Sequence, residues 1–259
     1  MNEVDLSWAL KGLEIPRFQF FERIGSSNDA ALAWAGSGAP DGALVIADEQ
    51  TQGRGRMNRQ WVTVPGSALA FSLIFRPSPQ ELEGVSLFSA LAGVAVQQAL
   101  ENTFGLPAEI KWPNDVLVNG KKLCGVLVES VWMEARVEAV VVGIGVNVAS
   151  SSVPAPEMLL FPATCVETEA GRPVDRLLLL REILTEMAAW RKRLLSSAFF
   201  QVYSSRLAFK GQWVKVSQPG DQITHGRLKG VGTNGCLLLE SEVGDEIALT
   251  AGDVHLRLG

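Results

Sequence analysis

Residues Gln50-Thr51-Gln52-Gly53-Arg54-Gly55-Arg56-Met57-Asn58-Arg59-Gln60-Trp61 place two glycines and three arginines directly after a strand-like run. Glycine lets the main chain approach a ligand closely, and guanidinium forks meet phosphate or carboxylate oxygens in a way lysine does not, so the stretch reads as an anion-binding loop. The alternative is a mobile, solvated arginine-glycine surface loop. Lys111-Trp112-Pro113-Asn114-Asp115 adds a cation, a large aromatic and a turn former. Pro113 fixes its own φ and restricts Trp112 to extended conformations. Lys111 would then stand as a fixed point charge against negative charge developing in phosphoryl or acyl transfer. Taken alone, the five residues are equally a β-turn with a surface lysine and a packed indole.

Two further segments carry glycine inside strands. In Gly120–Glu129, Lys122 is a candidate for an anionic ligand, and Gly125 among branched residues signals a close approach to the backbone or a bulge. In Gly143-Ile144-Gly145-Val146-Asn147 a dinucleotide fingerprint is tempting, but Val148 stands where the third glycine belongs and no helix pattern follows. Asn147 instead ends a strand, where its amide could meet a nucleotide. Ser26-Ser27-Asn28 precedes a helix-like run, where Ser27 or Asn28 could be no more than an N-cap. His225 and His255 have no nucleophile pattern near them, which argues against a triad or a histidine metal site. Trp61 and Trp112 could border a ligand, although packing is the default for an indole.

These segments need a sheet and helices to hold them. Apolar spacing predicts helices over residues 82–101 and 175–195, the second opening on Asp175 as a cap. Strand-like runs cover 42–50, 67–75, 122–132 and 136–148, the last two joined by a short turn at Met133–Ala135. Strands in clusters, not in strict alternation with helices, favour an α+β fold with a mixed sheet. Residues 149–156, rich in Ser, Pro and Ala, read as an exposed connection. From Gly211 onward, short strands separated by Pro219-Gly220 and Asn234-Gly235 predict a small all-β barrel of about 50 residues with little core of its own.

Composition narrows the function classes. The chain has 23 Lys+Arg against 28 Asp+Glu, so no global basic field is available for nucleic acid or an anionic membrane, and any polyanion site must be local. No run reaches the ~18 apolar residues of a membrane span, and the acids near the start do not suit a secretory signal. Three well-separated cysteines fit neither a disulfide framework nor a close-spaced zinc site, which points to a reducing cytoplasm.

Taken in order and spacing, SSN (26–28), EQTQGRGR (49–56), PG…LAFSL (65–73), KWPNDV (111–116), KKLCGVLVE (121–129) and GIGVNV (143–148) resemble the biotin protein ligases. The resemblance implies a mixed-sheet catalytic domain of the class II synthetase-like kind over residues 1–209 and an SH3-like barrel over 210–259. It implies attack of biotin's carboxylate on the α-phosphate of ATP, giving biotinyl-5′-AMP, then acyl transfer to a lysine of an acceptor, with Mg²⁺ as companion. By similarity, Ser26, Ser27, Asn28 and Gln50 line a biotin pocket. Gly53, Arg54, Gly55 and Arg56 form the loop over biotin and phosphate, and Lys111 with Arg56 acts at the transferring centre. Lys122 and Gly125 face biotin. Arg54, Arg56, Arg59, Asn114, Asn147 and Arg257 serve the nucleotide. The metal ligands are not implied.

One departure stands out: Met57-Asn58 replaces the family's Arg-Gly, removing a cation and a hinge, so altered loop closure is expected. The implied partner is a biotin carboxyl carrier protein of acetyl-CoA carboxylase, and an exposed sheet edge allows a homodimer. Only about 20 residues precede the first motif, too few for a helix-turn-helix, so DNA binding is not expected. The competing readings are a lipoate- or octanoyl-protein ligase of the same fold and a catalytically weak biotin-binding module.

Overall fold

The computed structural model describes residues 1–256, the side chain of Asn58 excepted. After a short helix, α1 (Glu3–Ala9), the chain enters β1 (Phe18–Ile24), crosses through α2 (Ser27–Gly36) and returns as β2 (Ala43–Gln50) parallel to β1. Parallel strands need such a crossover, and Ser26, not Ser27 or Asn28, caps its helix by accepting the Asp29 N–H, which leaves the other two inside the first turn. Then come β3 (Ala68–Phe75), α3 (Pro79–Leu82), α4 (Leu87–Phe104), β4 (Ala108–Lys111), β5 (Asp115–Val118), β6 (Lys121–Met133) and β7 (Arg136–Asn147). The seven strands form one mixed sheet in the order β1-β2-β3-β7-β6-β5-β4, antiparallel except at β1–β2. The expected mixed sheet is present, and the β6–β7 hairpin turns at Glu134–Ala135, with Glu134 at φ 53°.

The predicted helix over 82–101 is in fact two. Ser78 and Glu81 form a reciprocal capping box with Pro79 in the first turn, closing α3 as its own unit, and α4 begins only at Leu87 and stops at left-handed Gly105. The second helix, α6 (Arg176–Arg191), starts at Asp175 as read, its carboxylate accepting the N–H groups of Leu177 and Leu178. It follows α5 (Val166–Ala170) and precedes α7 (Ser197–Ser205), neither of which the apolar pattern indicated. The 149–156 connection is exposed only in part: a 3-10 turn forms at Ser150–Ser152, Ser152 is buried, and Ala149, Val153 and Pro154 are half-buried.

One face of the sheet, carrying Leu69, Phe71, Leu73, Val142, Ile144 and Val146, packs on α4 and α6 in the main core. On the other face, α2 seats Ala31 and Ala35 over Val45, Ile74 and Val141. The remainder of that face is left uncovered by helix and carries the candidate site.

The C-terminal strands β8 (Trp213–Ser217), β9 (Ile223–Val231), β10 (Leu237–Glu240), β11 (Glu246–Leu249) and β12 (Asp253–Leu256) form a second, antiparallel sheet in the order β11-β10-β9-β8-β12. Its apolar residues, Val214, Val216, Leu228, Leu237 and Leu239, belong to the same continuous core as the large sheet. The expectation of an appendage with little core of its own is thus met in a specific way: five strands this short cannot exclude water alone, so they share the core of their neighbour. Trp112 Nε1 donates to Gly235 O at 2.9 Å, and Ser86 Oγ to Asn234 O at 3.1 Å, fastening the two parts.

A shared core has a measurable consequence. Leu239→Ala is expected to destabilise the protein by about 2–5 kcal/mol while calorimetry still records a single unfolding transition; a separate early transition for the C-terminal sheet would contradict it.

Candidate active site

Strand alternation builds the floor. On β6 and β7 every second residue faces the core, so Gly125, Leu127 and Glu129, and Gly143, Gly145 and Asn147, face the other way. The register pairs Gly125 with Gly145 and Leu127 with Gly143. The Trp61 indole lies on this strip: a Cβ on Gly145 would overlap the ring, and one on Gly125 would come within 3.2 Å of it. The Asn28 amide occupies the space a Cβ of Gly143 would need. The G-x-G spacing is therefore two clearances on one strand face, consistent with rejecting a dinucleotide fingerprint.

The arginine loop is a tight hairpin. Gly55 N donates to Arg59 O at 2.7 Å and Trp61 N to Gly53 O at 2.8 Å, with a 3-10 turn at Arg56–Asn58. Gly53 is demanded by the loop's own other limb, since a Cβ there would run into the Trp61 carbonyl, whereas Gly55 has ordinary clearance. Met57, at the tip, has φ 55°, a left-handed conformation that favours glycine.

All three guanidiniums are held by carboxylates. Arg54 makes a two-pronged pair with Glu129 at 3.0 and 2.8 Å and also reaches Asp29 at 2.6 Å. Its pKa is raised, chiefly by the hydrogen bond to Glu129. Arg59 donates to Asp253 of β12 at 2.7 Å, and Arg56 lies 3.5 Å from the same carboxylate while donating to Asn114 Oδ1 at 3.1 Å. The loop is thus strapped to β6 and α2 at one end and to the C-terminal sheet at the other.

Polar groups converge at the inner end of the cleft. Ser27 N donates to Gln50 Oε1 at 2.7 Å. Ser72 Oγ donates to Asn28 Oδ1 at 2.6 Å and lies 2.8 Å from Ser27 Oγ. Because the single Ser72 proton goes to Asn28, Ser27 must donate to Ser72, leaving the lone pairs of Ser27 to accept from a ligand. Asn28 Nδ2 donates to Glu129 Oε2 at 2.9 Å. Ser26, Ser27 and Asn28 are all buried.

Lys122 closes the cationic side, 2.7 Å from Asp115, while Lys111 sits 3.9 Å from the other oxygen of that carboxylate. Lys111 is almost wholly buried, and its ammonium lies 4.7 Å from the centroid of Phe161, a cleft-lining ring. Burial pulls its pKa down, and Asp115 and Asp253 act against that pull. Such an amine is desolvated and preorganised, as a group stabilising a developing anion should be.

Of the residues expected from sequence, Ser26, Ser27, Asn28, Gln50, Arg54, Gly55, Arg56, Arg59, Asn114, Lys122, Gly125 and Asn147 line one cleft. Gly53 and Lys111 stand just behind that lining. Asn147 is buried, its amide donating to Thr164 O at 3.1 Å. Arg257 lies outside the described residues. Sequence reading missed Ser72, Glu129, Phe161 and Asp253, and rated Trp61 as packing. Trp61 Nε1 is buried among these groups without a hydrogen-bond partner.

Among the described residues, no group of three His, Cys, Asp or Glu side chains is placed to hold a metal ion. Asp115 and Asp253, the cleft's own acids, are engaged by Lys and Arg. A resident Mg²⁺ cage therefore does not fit these side chains.

Residues 20–147 match the model of the biotin/lipoate A/B protein ligase family. Over 231 residues the chain is 36% identical to the biotin–[acetyl-CoA-carboxylase] ligase of Paracoccus denitrificans, covering 87% of this chain and 95% of that one. It is 41% identical over 165 residues to the bifunctional ligase/repressor BirA of Bacillus subtilis, covering 64% of this chain and 50% of that protein. The chain thus spans about half the length of the bifunctional Bacillus relatives. The structure superposes on the biotin protein ligase of Aquifex aeolicus in complex with biotin and ATP with a TM-score of 0.79, at 28% identity, over 95% of this chain and all of that one. The chain belongs to the biotin/lipoate A/B protein ligase family, on its biotin protein ligase branch.

Asp253 offers a pH test of the strap. Burial raises its pKa, but Arg59 and Arg56 outweigh that effect and the net shift is downward. A depressed carboxyl stabilises the fold above its unfolded pKa of ~3.9, and the contribution is lost as pH falls through the lower folded value. Asp253→Asn is expected to lose about 1–2 kcal/mol at pH 7 by urea unfolding, with the difference from the parent shrinking below about pH 4. A pH-independent difference would rule out the ion pair as its source.

Proposed function

We propose that the protein is an ATP-dependent biotin–[acetyl-CoA-carboxylase] ligase. The observation that carries this reading is a cleft in which an arginine hairpin faces two lysines sharing one carboxylate, above a polar inner end and a glycine strip. Two anions must meet for an acid to be adenylated, and clustered fixed cations offset both their repulsion and the charge of the leaving group. Names of the relatives supply the acid and the acceptor class.

In this reading biotin's carboxylate oxygen attacks the α-phosphorus of ATP and pyrophosphate departs with the electron pair of the broken P–O bond. The ε-amine of an acceptor lysine then attacks the carbonyl of biotinyl-5′-AMP, forms the amide and releases AMP. Ser26, Ser27, Asn28 and Gln50 hydrogen-bond biotin at the inner end, with Trp61 and Gly125 as its wall and Lys122 beside it. Gly53 and Gly55 shape the hairpin. Lys111 and Arg56 stabilise charge at the transferring centre. Arg54, Arg59, Asn114, Asn147 and Arg257 are assigned to the nucleotide side, and Mg²⁺ arrives with the phosphates. Residues 1–209 carry the chemistry, and 210–259 contribute Asp253 to the strap.

The acceptor assigned here is a biotin carboxyl carrier domain of an acetyl-CoA carboxylase. The unpaired, buried cysteines suit a reducing compartment, and no helix among the described residues is long and apolar enough to cross a membrane.

The test is exchange of labelled pyrophosphate into ATP with biotin, lipoate or octanoate as the acid. Exchange with biotin is expected, and Lys111→Ala is expected to lower it by about 10²-fold or more. Exchange only with lipoate or octanoate would transfer the protein to the other branch of its family, and no exchange from folded protein would make it a binding module. The Met57→Arg, Asn58→Gly double variant is expected to slow escape of the adenylate; unchanged or faster escape would discard the idea that loop closure is altered here.

A further inference from the structure

We propose that Glu129 is a positioning residue that couples the polar inner end of the cleft to the arginine hairpin. The proposal rests on the biotin-ligase reading for its ligand, but its geometry does not. Glu129 lies on the cleft face of β6, paired in register with Val141. Its Oε2 receives Asn28 Nδ2 at 2.9 Å and Arg54 Nη2 at 2.8 Å, and its Oε1 receives Arg54 Nη1 at 3.0 Å. One carboxylate therefore holds a cleft-floor amide and the first arginine of the hairpin at once.

Asn28 has little freedom to answer a disturbance in any other way. Ser72 donates to its Oδ1, and the amide rests against the bare Cα of Gly143. A shift of the amide is thus transmitted to Ser72 and Ser27 on one side and to Glu129 on the other. Arg54 has a second carboxylate, Asp29, whose side chain among the described residues makes no hydrogen bond to Asn28. The Asp29 carboxylate is the natural control: it holds the hairpin, while only the backbone N–H of the residue, which Asp29→Asn leaves in place, meets the floor at Ser26.

An ionised carboxylate only accepts, and that is what three incoming donors require. In Glu129→Gln one oxygen becomes an NH₂ group, which must oppose a donor of Arg54 or of Asn28, so the link between them is broken: Arg54 keeps only Asp29, or Asn28 Nδ2 keeps only its longer bond to Leu127 O at 3.3 Å. The shape and length of the side chain are unchanged. Arg54, in this arrangement, acts as the hairpin's anchor, and Arg56 and Arg59 are the arginines nearer the lysine pair.

The experiment measures biotin-dependent pyrophosphate exchange together with trypsin cleavage within residues 54–59, with and without biotin, in the parent, Glu129→Gln and Asp29→Asn. Losing a charged hydrogen bond corresponds to roughly tenfold in an equilibrium. Glu129→Gln is therefore expected to raise the biotin KM about tenfold with kcat changed less than about threefold. It should also cleave about tenfold faster and lose most of the protection that biotin gives the parent. Asp29→Asn is expected to speed cleavage while leaving the biotin KM within about twofold and the protection by biotin intact. Equal effects of both substitutions on KM and protection, or no effect of Glu129→Gln on either, would overturn the coupling. If the parent shows no exchange with biotin, the functional reading fails. The ligand-free cleavage rates still decide whether Glu129 holds the hairpin.

Discussion

The site depends on clearance above two neighbouring strands. Gly125, Gly143 and Gly145 leave β6 and β7 without side chains at adjacent points on the face that carries α2, and Trp61 and, from the first turn of that helix, Asn28 descend into the space. Any Cβ at Gly143 or Gly145 would lift one of them and, with it, the groups each one orders. The opposite face of the same strands carries Val126, Val142, Ile144 and Val146 in the core, so the strands cannot slip to relieve a clash. A rigid, water-excluding packing on one side is what allows a bare surface on the other to serve as a template.

Charge imposes the second constraint. Lys111, Lys122, Arg56 and Arg59 converge on one cleft, and like charges gathered in a partly buried place repel unless acids stand among them. Asp115 lies between the lysines and Asp253 between the arginines. The burial of Lys111 still draws its pKa down. The arrangement keeps the cations ordered before any anion arrives, so that a polyanion would meet donors already aimed, at the expense of competing with two carboxylates.

Local signals carried most of what sequence could tell. β2, β3, β6 and β7 fall within about one residue of their apolar runs, and Asp175, Pro219-Gly220 and Asn234-Gly235 mark their helix start and turns. The arginine hairpin, Lys111, Lys122 and Gly125 were legible because residue type and neighbours within ten positions reveal them. What escaped depends on distance. Arg54 meets Glu129 75 positions later, and Arg59 meets Asp253 194 positions later, pairings that exist only once the sheets are assembled. The role of Gly145 escaped for the same reason, since the indole that needs its clearance approaches from another part of the chain. The capping box at Ser78 was local and present in the sequence, yet an uninterrupted apolar pattern hid it.

Asp253 gives the order of synthesis a bearing on the site. The hairpin leaves the ribosome early and the large sheet can form around it, but Arg56 and Arg59 have no Asp253 until nearly two hundred more residues have been added. Completion of β12 is thus also the moment at which Arg56 and Arg59 acquire their shared counter-charge, long after Asp115 has been supplied to the lysines.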